Sequence, residues 1–135
     1  MESEGKLRAG IVGLGFAGNL HKESLKNNET ISSIAVVEIN SDKRLKAAAE
    51  NLQTFVNVQD LLETRPDILI LSVPPILNRE LVTAITSSAY RPKALLIEKP
   101  LATTLSDAEE IERALNGSDI LSMVGFNRSW FPSRV

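Results

Sequence analysis

Gly13-Leu14-Gly15-Phe16-Ala17-Gly18 sets three glycines at the spacing Gly-x-Gly-x-x-Gly, directly after the apolar pair Ile11-Val12 and directly before a helical pattern. In that context each glycine has a mechanical task. Gly13 permits a tight turn after a strand, Gly15 lets backbone approach a ligand, and Gly18 lets a helix lie close to the sheet. The amides of the loop, those of Leu14, Phe16 and Ala17 among them, and the positive end of the helix would then face a diphosphate. Spacing of this kind also arises in ordinary turns, so a second signal matters. The apolar run Ile31-Ser32-Ser33-Ile34-Ala35-Val36-Val37 ends in Glu38. That residue lies about 20 positions beyond the last glycine, where an acid accepts hydrogen bonds from an adenosine ribose. A carboxylate there repels a 2′-phosphate and points to NAD, while Ser41, Lys43 and Arg44 keep NADP open. The competing reading is that Glu38 only caps the exposed end of a strand.

To hold such a loop the chain must supply strands and helices in alternation, and short β-branched runs do alternate with helical segments along it. The pattern predicts strands over 7–12, 33–38, 54–56, 67–73, 94–98 and 120–125, with helices over 17–27, 42–51, 58–62, 77–88 and 106–115. Asp67-Ile68-Leu69-Ile70-Leu71-Ser72-Val73 is nearly continuous in apolar character, as a central parallel strand covered on both faces should be. Ser106-x-x-Glu109 reads as a capping box and Asn116-Gly117 as a helix stop. Six parallel strands so connected make an α/β, doubly wound, mostly parallel sheet of the Rossmann type, with its ligand beyond the carboxyl ends of the strands. Gly13, Glu38, Ser72 to Pro74, Glu98, Lys99 and Asn127 all fall at those ends and therefore on one rim.

Composition narrows the chemistry. The 135 residues are 43% hydrophobic and 24% charged with a formal charge of −2, the mix of a single globular domain without a basic patch for nucleic acid. With no cysteine, disulfides, thiolate catalysis and cysteine-ligated metals are excluded. One histidine, His21, and scattered carboxylates have no metal-ligand spacing, and no serine sits in a nucleophile elbow. His21 follows the glycine loop on the helix, where it either faces a phosphate or, as we favour, is an exposed or packed helix residue. No apolar run is long enough to span a bilayer, and the polar opening Met1 to Lys6 resembles neither a secretory signal nor a transit peptide. A cytoplasmic location is the expectation.

Several separated signatures converge on one family. The glycine loop, Glu38, Ser72-Val73-Pro74, Glu98-Lys99-Pro100 and Gly125-Phe126-Asn127-Arg128 together resemble the amino-terminal half of the Gfo/Idh/MocA oxidoreductases, the glucose-fructose oxidoreductase and inositol dehydrogenase family. The resemblance implies a dinucleotide held by Gly13, Leu14, Gly15, Phe16, Ala17, Gly18, Glu38, Ser72, Val73, Pro74, Asn78, Glu98, Lys99 and Asn127. It also implies hydride transfer on a sugar, polyol or related hydroxy compound. Lys99 would stand beside the nicotinamide and substrate, polarising the reacting hydroxyl or assisting proton transfer. Partial burial would suit that role, because burial disfavours the ammonium form. By the same resemblance the bond before Pro100 is cis.

Departures from the family pattern are informative as well. Where relatives often carry Pro-x-x-x-His, this chain has Pro74-Pro75-Ile76-Leu77-Asn78, so a residue that cannot titrate stands there. Asn78 is expected either to bond a ribose or carboxamide, or to cap the following helix. After Asn127-Arg128 the sequence runs Ser129-Trp130-Phe131-Pro132 instead of the family's arginine, phenylalanine and acid. The dinucleotide domain is expected over 1–128 and a tail over 129–135, where relatives begin a second, substrate-holding domain. Turnover would then need that domain or a partner chain, with contact through Trp130 and Phe131; a non-catalytic dinucleotide-binding module is the alternative.

Overall fold

The computed structural model describes residues 5–125. β1 (Leu7–Val12), β2 (Ile31–Val37), β3 (Gln53–Phe55), β4 (Ile68–Leu71), β5 (Ala94–Glu98) and β6 (Leu121–Gly125) form one sheet in the order β3-β2-β1-β4-β5-β6. Every neighbouring pair is parallel. Sequence order reverses between β1 and β4, and such a switch point opens a crevice at the strands' carboxyl ends. The expected α/β doubly wound sheet is the one found.

Strand residues alternate between two cores, as a period of two requires. Val12, Ala35, Val37, Leu69, Leu71, Leu95 and Ile97 pack with residues of α3 (Val58–Leu62), α4 (Asn78–Thr86) and α5 (Leu105–Asn116). Ile11, Ile34 and Val36 face the other way, onto α1 (Phe16–Lys26) and α2 (Ser41–Ala49). Lys22 of α1 is buried and reaches Glu50 at 3.0 Å, fixing α1 against the end of α2.

The expected elements stand within two residues of their predicted ends, with one correction, at a helix cap. α5 starts earlier than the Ser106-x-x-Glu109 box implies: Thr104, in extended conformation, is its cap, and its hydroxyl accepts from the Asp107 amide at 3.1 Å. Thr104-x-x-Asp107 has the same spacing two residues upstream, and the Thr104 half of a box forms there. The helix expected over 77–88 is α4, preceded by a single 3₁₀ turn, Pro75–Leu77, that Pro75 opens. The expected cis bond is present between Lys99 and Pro100.

Candidate functional site

The glycine loop leaves β1 by a left-handed turn. Gly13 has a φ of +95°, and a Cβ there would overlap the Ser72 carbonyl group, so only glycine fits. Gly18 of α1 lies against the Gly13 carbonyl oxygen, where any Cβ would collide with backbone. Gly15 differs from both: a Cβ on it would meet nothing within 4 Å, and its φ is −77°. The close packing that requires Gly13 and Gly18 is internal to the fold, whereas the space over Gly15 is open to a ligand.

Glu38 completes the loop from β2. It is buried, its Oε1 accepts the Leu14 amide at 3.0 Å and its Oε2 accepts the Asn40 amide at 2.9 Å. Burial pushes the carboxyl up, but the amides of Asn40 and Leu14, the Lys43 ammonium and the Ile39 amide outweigh it and hold the group below the ordinary carboxylate value. Glu38 is therefore not exposed at the strand end, and both of its oxygens serve backbone amides. Arg44 is turned onto backbone, its Nη1 donating to the carbonyls of Glu38 at 2.7 Å and Ile39 at 2.9 Å. Lys43 lines the cleft itself.

These groups border a cleft of about 480 Å³ at the switch point. Gly13, Leu14, Gly15, Glu38, Ser72, Val73 and Pro74, all expected on sequence grounds, line it. The cleft's apolar wall comes from Ile39, Val56, Leu77 and Leu81, which the sequence reading did not single out. They belong to separate turns and helices, and only the fold joins them. Ser72 Oγ is buried without a hydrogen-bond partner among the described residues.

Other expected residues are placed elsewhere. Phe16 is 85% exposed at the start of α1 and Ala17 follows it half-buried. Asn78 is buried at 1% exposure and does not line the cleft; its Nδ2 donates to the Leu101 carbonyl at 2.9 Å, and its Oδ1 has no partner among the described residues. It does not cap a helix either, since α4 begins with it. Glu98 is bonded to His21, 2.6 Å from Nε2 to Oε1, a pairing that nothing in the sequence announces across 77 residues. Lys99 is exposed, so the burial expected for it is not provided by the described residues. Asn127, Arg128, Trp130 and Phe131 lie outside the described residues. Within those residues no cluster of potential ligands could hold a metal ion, and no helix is long and apolar enough to cross a membrane.

A parallel sheet with this switch point, a glycine loop running into a helix and an acid at the end of the second strand define a dinucleotide-binding Rossmann domain. Residues 7–126 match the family model described as "Oxidoreductase family, NAD-binding Rossmann fold", and the chain belongs to that Gfo/Idh/MocA family, with NAD as its cofactor. It is 23% identical over 128 residues to the rhizopine catabolism protein MocA of Rhizobium meliloti, covering 94% of this chain and 39% of the relative. In fold it is similar to myo-inositol 2-dehydrogenase from Lactobacillus plantarum, with a TM-score of 0.84 at 23% identity over 95% of this chain and 38% of the other. It is also similar to the WlbA dehydrogenase from Bordetella pertussis, solved with NADH and UDP-GlcNAcA: TM-score 0.83, 22% identity, 94% and 39% covered. The chain thus spans about two-fifths of the length of the relatives it matches.

Proposed function

We propose that this chain holds NAD for hydride transfer to or from a sugar, polyol or related hydroxy compound. The observation that carries the reading is the Glu38 carboxylate, held at the glycine loop by the Leu14 amide with open space over Gly15 beside it. A carboxylate oxygen in one such bond still has a lone pair for a ribose hydroxyl. The same negative charge disfavours a 2′-phosphate, and Arg44 is occupied by backbone carbonyls, which leaves Lys43 as the cation lining the cleft. Ser72 also lines the cleft. When bound, NAD supplies the hydride acceptor or donor.

Lys99 would bind the substrate oxygen through its ammonium and pass a proton at Nζ, on the same rim as the loop. Its exposure favours a further requirement, that a second domain or partner chain covers it and keeps water out during the reaction. The myo-inositol and UDP-sugar names among proteins of the same fold support hydroxylated substrates.

Titration with NADH, followed by fluorescence and calorimetry, tests the first part: saturable binding is expected, and its absence defeats the reading. Incubating the purified chain with NAD and a panel of polyols tests the second. No turnover is expected without a covering domain, and turnover by the chain alone overturns that requirement. Lys99→Ala should leave NADH affinity within about three-fold, because a chemical role contributes little to ground-state binding.

A further inference from the structure

The His21–Glu98 bond joins the two parts of the molecule that matter most to the proposed chemistry. His21 sits in the second turn of α1, the helix that starts at the glycine loop, and Glu98 is the last residue of β5, directly before Lys99 and the cis bond to Pro100. Both side chains are mostly covered, at 25% and 23% exposure. The Glu98 carboxylate also lies against Gly125 of β6, where an added Cβ would stand 3.3 Å from Oε1. Among the described residues no other side-chain hydrogen bond links α1 to β5.

An ionised Glu98 carboxylate only accepts, so with that form of the acid the proton of this bond is on Nε2 of His21, whatever the charge of the ring. A bond to a charged acceptor is both short and directional. We infer that His21 is a positioning residue: through Glu98 it fixes the turn bearing Lys99 relative to the helix that grips the diphosphate. Rigid support of this kind matters because a misplacement of about 1 Å at a reacting group costs roughly a hundredfold in rate. The importance of this tie for catalysis rests on the proposed function; the tie itself does not.

The test uses the full chain. Nitrogen-15 NMR of the imidazole should report a proton on Nε2, and a neutral ring protonated only on Nδ1 overturns the inference. Lysines dimethylated with carbon-13 give a signal for Lys99, identified by its loss in Lys99→Arg. In the cofactor-free protein that signal should move in His21→Phe, which keeps a ring but removes the donor. It should return towards its original position in His21→Gln, which can still donate. Thermal unfolding of each variant separates a local effect from a folding defect, and Glu98→Ala replaces His21→Phe if the latter does not fold. An unmoved Lys99 signal, or one displaced equally by Phe and Gln, overturns the proposal. Failure of the wild-type chain to bind NADH would defeat the cofactor reading instead, and these cofactor-free measurements would still decide the tie.

Discussion

The Leu14 amide donates to Glu38 Oε1 at 3.0 Å across 24 residues of sequence, so the glycine loop and the end of β2 are built as one unit. Glu38→Gln leaves a single acceptor oxygen for two amides, those of Leu14 and Asn40. One of them then faces an NH2 group, a loss of about 1–3 kcal/mol. The effect depends on pH in a defined direction. The folded Glu38 carboxyl is held below its ordinary value, so its stabilisation is fully present above the unfolded carboxylate pKa and is lost as pH falls through the lower folded value. Urea unfolding should therefore separate wild type from Glu38→Gln at neutral pH, and the gap should close in acid. An equal gap at about pH 3 would mean that ionisation of Glu38 is not coupled to folding.

Gly15 and Gly18 make a paired prediction. Gly15→Ala meets open space at an ordinary φ and should fold with wild-type stability, within about 0.5 kcal/mol, yet lose NADH binding at least tenfold because the new methyl occupies the approach to the loop. Gly18→Ala collides with the Gly13 carbonyl, a backbone atom that cannot swing aside. It should be destabilised by about 2 kcal/mol or more, as overpacking commonly is. Thermal unfolding and NADH titration of both variants check this. Equal stabilities, or unchanged affinity in Gly15→Ala, would contradict it.

What could be read from the chain alone follows from how local each signal is. The turn at Gly13 and the strand periods are set by near neighbours, and Glu38 stands at the end of an apolar run; these were legible. The cap of α5 was not. Thr104-x-x-Asp107 and Ser106-x-x-Glu109 have the same spacing, and spacing alone does not choose between them. His21 and Glu98 meet only once β5 is laid beside β4 and α1 is folded back over the sheet. Asn78 was legible as a departure but not in its role, because its partner is a backbone carbonyl 23 residues away, and a carbonyl has no sequence signature.

That role makes Asn78 the sharper test of how the Lys99 turn is supported. Its Nδ2 holds the Leu101 carbonyl from the α4 side, two residues beyond Lys99, in a site with 1% exposure. Asn78→Asp keeps the shape and removes the donor, bringing a carboxylate against a carbonyl oxygen. An uncompensated buried charge costs about 3–5 kcal/mol, and it escapes by taking up a proton. The folded carboxyl is then raised above its unfolded value near 3.9, so the penalty is absent below that pH and grows as pH rises through the unfolded value. Protonated, it can donate to Leu101 in the amide's place. Asn78→Leu loses the same bond with no such pH dependence. Acidification should thus close the gap for Glu38→Gln because wild type loses stability, and close it for Asn78→Asp because the variant regains stability. Urea unfolding across pH 3 to 8 distinguishes the two, and a pH-independent deficit in Asn78→Asp would place its carboxylate in contact with water and refute the buried clamp.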